Sequence, residues 1–313
     1  MVVIRNHMEL DRIIDPASRL DILWRGEGFF EGPVWLDDEC GGGLLFSDIA
    51  GDRINLWRPD GRVSVHAGDI FTGHREGAGK RLRVGDREVR LIGPNGIARD
   101  GEGRIVFCGY GTGQVVRIEC DGGRTLLASS YRGRRLNTPN DLVFRSDGSL
   151  YFTDSSSVPP GAHDPEIGAN PPGVYRLAAG GLALVCKGFV TPNGLAFTPD
   201  ERFLYVNDTL PKTISRFRVE ADGRLTEEQA FADMNGHEAR GAPDGMKVDL
   251  EGNVYCTGPG GLWIFAPDGT RLGTIVTPEQ LTNCAFGGGD RCWLFMTSPS
   301  FLYRIRLRRP GSH

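Results

Sequence analysis

No stretch of this chain approaches the roughly 20 consecutive apolar residues that a bilayer-spanning helix needs, so a helical membrane span is not expected. Charge of one sign is lacking too. Lys and Arg number 36 against 40 Asp and Glu, and the net charge of -4 gives nucleic acid no clustered basic surface to neutralise. The one basic run, Arg304 to Arg309, alternates with Ile305 and Leu307 and reads as the exposed side of a last strand. The 7 cysteines are odd in number and include no Cys-x-x-Cys pair. Most sit inside strand-like runs such as Ile105-Val-Phe-Cys108 and Val254-Tyr-Cys256, which favours buried reduced thiols over a disulfide frame or a soft-metal site. Neither a Gly-x-Ser-x-Gly elbow nor a His-Glu-x-x-His helix is present. Gly79-Lys80 is not a phosphate loop, because His74 replaces the first glycine and Arg81 the final Ser or Thr. Met1 to Ile14 has no signal-peptide core, and the cytoplasm is the expected compartment.

What the chain has in abundance is turn chemistry, with Gly 45 and Pro 19 between short apolar runs. Thr191-Pro-Asn-Gly-Leu-Ala-Phe-Thr-Pro-Asp-Glu-Arg-Phe-Leu-Tyr-Val-Asn-Asp208 is the template: a polar loop, a strand, a Pro-Asp turn and a second strand. Versions open at Glu31-Gly-Pro-Val-Trp-Leu, Pro94-Asn-Gly-Ile-Ala, Thr138-Pro-Asn-Asp-Leu-Val-Phe, Ala242-Pro-Asp-Gly-Met-Lys-Val and Thr282-Asn-Cys-Ala-Phe. With two further strands after each, the fold expected is all-β, a six-bladed β-propeller. The sixth repeat stops one strand short, and Ser18 to Gly26 precedes the first. An unpaired blade edge is an aggregation hazard, so that N-terminal strand should close the last blade. Residues 18–313 then form a single domain, and residues 1–17, which carry no strong pattern, form an N-terminal extension. The segment from Gly68 to Val89 interrupts the rhythm and reads as a mobile loop near a site mouth.

In a propeller the residues just before the innermost strands converge at one end of the axis. Here they are Glu31, Asn95, Asn140, Asn193, Asp244 and Asn283. Asn or Asp before Gly is also an ordinary turn residue. Taken together, however, two carboxylates and several amides form an all-oxygen set suited to a hard divalent cation, and two buried carboxylates near one axis would repel without one.

These motifs, with Ser146-Asp-Gly-Ser-Leu-Tyr-Phe-Thr-Asp and Asn283-Cys-Ala-Phe-Gly-Gly, resemble those of the gluconolactonase family that includes the senescence marker protein regucalcin. The resemblance runs from about Trp24 to Leu307. It implies a six-bladed propeller with one divalent metal at the mouth, held by Glu31, Asn140, Asn193 and Asp244. Ca²⁺ is the first expectation, with Mg²⁺, Mn²⁺, Zn²⁺ or Fe²⁺ as alternatives. Asn95 and Asn283 would line the mouth without binding metal. At Gly109-Tyr110 the chain departs from the family, where relatives often carry Glu-His.

The function expected is a metal-dependent hydrolase opening a sugar lactone or similar ring, with a small-molecule lactone as partner. Asp244 is the candidate base, holding metal through one oxygen and taking a proton with the other. Arg135, Asp154 and His237 are candidate substrate contacts, and His74 is a loop residue that could reach the mouth. The alternatives are hydrolysis of another ester or a phosphotriester on the same metal, or a binding propeller with a structural cation.

Overall fold

Short strands alternating apolar and polar residues, punctuated by turns, pair in sequence order into antiparallel meanders. The computed structural model describes residues 2–38, 41–73, 79–155 and 170–312. Six such meanders stand around one axis. Blade 1 runs Phe30–Leu36, Gly43–Asp48, Arg53–Trp57, Val63–Gly68 from the axis outward. The innermost strands of blades 2 to 6 are Pro94–Arg99, Thr138–Phe144, Pro192–Phe197, Met246–Val248 and Asn283–Gly287. Each touches the next around the ring, and Asn283–Gly287 meets Phe30–Leu36 to complete it. Apolar clusters fill the wedges between blades: Leu45, Ile54, Ile97 and Phe107 join blades 1 and 2, and Phe30, Trp35, Phe46 and Phe295 join blades 6 and 1.

The expected closure is present. Asp21–Arg25 pairs antiparallel with Phe301–Arg306 and becomes the fourth strand of blade 6. Arg304 of that edge binds Asp21 at 2.9 Å, and Arg308 binds Asp15 at 2.6 Å, so the basic run is matched by carboxylates. Residues before this strand are more ordered than their lack of pattern implied. Val3–Arg5 adds a fifth strand to blade 5, and the short helix Leu10–Ile13 buries Leu10, Ile13 and the following Ile14 between blades 5 and 6.

The insertion expected as a loop is corrected in part. Lys80–Val84 and Arg87–Leu91 form a hairpin, because Leu82, Val84, Val89 and Leu91 fall on one face and pack on Ile49 and Tyr110. His74 lies outside the described residues. The six described cysteines are free thiols. Among the described residues no helix is long and apolar enough to cross a membrane.

Candidate functional site

The sequence positions four of the six mouth residues, Glu31, Asn95, Asn140 and Asn193, by the same local device. Pairing with the second strand slips between Glu31 and Val34, Pro139 and Leu142, and Pro192 and Leu195, and opposite Asn95 between Phe107 and Gly109. Bulges of this kind re-aim a side chain, here toward the axis. The glycine after the mouth residue serves packing as well as turning. A Cβ on Gly32, Gly96, Gly194 or Gly245 would come closer than 3.0 Å to Asn95, Asn140, Asp244 or Asn283 respectively, the mouth residue of the next blade.

A second device holds the backbone. Ser47 Oγ donates to the Asn95 carbonyl at 2.5 Å, Thr153 Oγ1 to that of Asn193 at 2.8 Å, and Asn207 Nδ2 to that of Asp244 at 2.6 Å. In each case the second strand of one blade clamps the mouth residue of the next. The following aspartates cap their own entry loops: Asp48 accepts from Phe29 N–H, Asp154 from Asn137 N–H, and Asp208 from Val190 and Thr191 N–H.

Glu31, Asn95, Asn140, Asn193 and Asn283 are buried, while Asp244 keeps some exposure at the opening. Glu31 Oε2 accepts from Gly32 N–H and, at 2.9 Å, from Asn283 Nδ2. Among the described residues its Oε1 has no partner, nor have Asn95 Oδ1 and Asn193 Oδ1. Three buried oxygens without donors are costly as they stand. Burial raises the Glu31 carboxyl well above its usual range, and the charges of Asp244 and Asp141 raise it further. Asp244 is pushed up to about 7, first by burial and then by Asp141, with relief from the Asn193 amide and Lys80. A hard divalent cation would answer both features, supplying charge to the carboxylates and a partner to the orphaned oxygens of Glu31 and Asn193. Among the described residues no three His, Cys, Asp or Glu side chains gather as a metal cage, so binding here would depend on the amides.

One carboxylate at the centre escaped the sequence reading. Asp141 follows Asn140 where most of the other blades have glycine, and it is buried on the axis. Its Oδ1 accepts from Leu142 N–H, while its Oδ2 lies 3.3 Å from Asn283 Nδ2 and 3.9 Å from Lys247 Nζ. Asn283 thus bridges Glu31 and Asp141 and orients both. The signal was the break in the Asn-Gly pattern. Tyr110, at the departure from Glu-His, is the second omission: it is buried against Ile49, Val89 and Leu91, and its hydroxyl is pushed to about 12 by burial and by Asp244.

The remaining candidates have partners of their own. Arg135 is tied to the carbonyls of Gly111 at 2.9 Å and Asn137 at 3.5 Å. Asp154 is fully buried and holds the blade 3 entry loop just as Asp48 and Asp208 hold theirs. His237 is exposed and stands edge-on to Trp263 of the third strand of blade 5, at 5.8 Å between centroids.

Fold and mouth together define the class: a six-bladed β-propeller carrying a polar, carboxylate-bearing site at one end of its axis. The model of the SMP-30/Gluconolactonase/LRE-like region matches residues 29–300, and the chain belongs to that family. It is 33% identical to a gluconolactonase of Zymomonas mobilis, over 96% of this chain and 85% of that protein. It is 28% identical to a pentonolactonase of Haloferax volcanii, over 93% and 85%. Among solved structures, a gluconolactonase from Xanthomonas campestris superposes with a TM-score of 0.80 at 32% identity, covering 98% of this chain and 95% of that one.

Proposed function

We propose that this chain is a lactonase that opens aldonolactone rings with the help of one divalent cation, Ca²⁺ first among the candidates. The observation that carries the reading is the convergence of unpartnered Glu31, Asn95 and Asn193 oxygens beside Asp244 in a chain similar to named lactonases. Glu31, Asn140, Asn193 and Asp244 would hold the cation, which supplies Lewis-acid polarisation of the ester carbonyl when bound. Asp244, the partly exposed carboxylate, takes the proton from the attacking water at a carboxylate oxygen. Asn95 offers its amide to the substrate, and Asn283 with Asp141 fixes the Glu31 carboxylate beneath. Tyr110 closes the blade 2 side against water.

A pH-indicator assay across aldonolactones, an aryl ester and a phosphotriester, with and without chelator, tests the activity. Chelator-sensitive turnover is expected, with lactones preferred by more than about tenfold, or roughly 1.4 kcal/mol in transition-state binding. A smaller preference would favour the other electrophiles. Absent turnover with intact cation binding would favour a binding propeller.

Cation binding should also be proton-linked. Folded Asp244 titrates at about 7, and Glu31 is raised as well, whereas unfolded carboxylates titrate near about 4. The cation-free fold therefore holds more protons than the unfolded chain, and its stability falls as pH rises from about 4 to about 7. Near pH 6 a bound cation must displace those protons. Calorimetry in buffers of different ionisation enthalpy should show proton release there that fades above about pH 8. Release that is absent, or that grows with pH, would contradict the assignment.

A further inference from the structure

Side chains from four blades are linked across the axis, and the reaction above accounts for only three of them. The fourth, Lys247, stands in the middle of Met246–Val248, the innermost strand of blade 5. Met246 and Val248 are buried in the apolar wedge between blades 4 and 5, so alternation turns Lys247 to the other side of the strand. There its Nζ donates to the Met246 carbonyl at 3.0 Å and lies 3.9 Å from Oδ2 of Asp141, a buried residue of the innermost strand of blade 3. From Asp141 the contacts continue through Asn283 of blade 6 to Glu31 of blade 1. Blades 3 and 6 face each other across a six-membered ring, so this chain of contacts braces its centre.

The polar atoms of the brace each have one assignment. Asn283 Oδ1 accepts from Cys284 N–H at 2.8 Å, which leaves its Nδ2 to donate to Glu31 Oε2 at 2.9 Å and to face Asp141 Oδ2 at 3.3 Å. Turned over, the amide would set its oxygen between two carboxylates. Asp141 is engaged on both sides: Oδ1 accepts from Leu142 N–H at 2.9 Å, and Oδ2 is shared by Asn283 and Lys247. Glu31 Oε2 is taken by Gly32 N–H and Asn283, and Oε1 alone has no donor among the described residues. A buried carboxylate that loses its counter-charge is strongly destabilising, and Asp141 adjoins Asn140, which would hold the cation. Released from Lys247, Asp141 would gain most by turning to the cation itself.

We propose that Lys247 is a positioning residue of this site: it anchors the Asp141 carboxylate away from the cation and, through Asn283, holds Glu31 with Oε1 alone presented to it. This rests on the lactonase reading and adds to it the device that fixes the ligand set at two carboxylates rather than three.

Lys247→Met, Lys247→Arg, Asp141→Asn and the double variant Lys247→Met/Asp141→Asn are compared with wild type. Loss of a positive charge beside a cation site by itself tightens cation binding, whereas loss of positioning slows the reaction, so the two effects separate. By calorimetry Lys247→Met should bind Ca²⁺ at least as tightly as wild type. Its kcat on an aldonolactone should nonetheless fall by at least about tenfold with KM within about threefold, and Lys247→Arg should recover most of that loss. Europium in place of calcium gives a readout without turnover, because its narrow excitation line shifts with the charge of its ligands. Wild type and Lys247→Arg should share one line, Lys247→Met should show a displaced one, and the double variant, lacking the third carboxylate, should not. The double variant also leaves no buried charge unpaired, so it serves where Lys247→Met does not fold. Because Lys247 acts through Asp141, the double variant should match Asp141→Asn in kcat and in its europium line. An unchanged kcat or line in Lys247→Met, weakened calcium binding, no recovery with Arg, or a double variant unlike Asp141→Asn would each overturn the proposal. A displaced line in Lys247→Met, with no lactone opened by wild type, would instead overturn the lactonase reading and leave the brace standing.

Discussion

Glu31→Gln and Asp244→Asn should each lower cation-dependent lactone hydrolysis by at least about a thousandfold, the scale seen when a group stabilising developing charge is removed. Each change keeps the shape of the side chain and removes one negative charge from the mouth. Glu31 accepts from Asn283 and Gly32 through Oε2, a role a Gln oxygen can retain, so the fold should persist. A second readout separates site from scaffold. At a hundredfold excess over its dissociation constant, a ligand bound only to the folded state stabilises by about 2.7 kcal/mol, or several degrees in melting temperature. Wild type should show that shift on adding Ca²⁺, and both variants should lose it. Without cation the order reverses: with the buried Glu31 carboxylate no longer repelled by Asp244 and Asp141, Glu31→Gln should melt at or above wild type. Full activity in either variant, or a retained calcium shift in both, would end the assignment of these residues.

Removing residues 1–26 should abolish cooperative folding, whereas removing residues 1–8 should cost far less. The longer truncation deletes Asp21–Arg25 and leaves Phe301–Arg306 as an open edge. It also removes Leu10, Ile13 and Ile14 from the wedge between blades 5 and 6, and Trp24 from its packing on Phe30 at 4.9 Å and Phe46 at 5.7 Å. Three buried side chains and the half-buried Trp24, at up to about 1.5–3 kcal/mol each, come to as much as about 6–12 kcal/mol, comparable with the 5–15 kcal/mol that holds a typical domain folded. The shorter truncation takes only Val3–Arg5, an added fifth strand with mostly exposed residues, and Met8, which is 78% exposed. Circular dichroism melts and size-exclusion profiles of the two truncations decide it. A sharp, wild-type-like transition in the longer one would show that the ring does not need its N-terminal strand.

The repeat was legible because each blade restates one pattern, and the missing last strand could be counted. The mouth amides were legible for the same reason: a polar residue recurs at the place of Asn193 whatever the local turn. Asp141 was not, since a carboxylate next to Asn140 reads as a second turn residue until the glycines of the other blades are seen to mark close approach between neighbours. The hairpin at 80–91 was hidden by its charge. Its alternation around Gly85-Asp86 is regular, but only four apolar residues carry it among seven charged ones. Asp154 stood as a candidate substrate contact, yet Asp48 and Asp208 end their strands as it does, and their common partner is backbone.

The clamps from Ser47, Thr153 and Asn207 all point the same way around the ring, each from one blade to its successor. Damage should therefore travel with a handedness. Losing the Ser47 hydroxyl loosens Asn95 in the blade ahead before it disturbs Glu31 in its own, so a defect and its symptom sit one sector apart. In such a wheel, the side chain to suspect behind a faulty ligand belongs to the spoke before it.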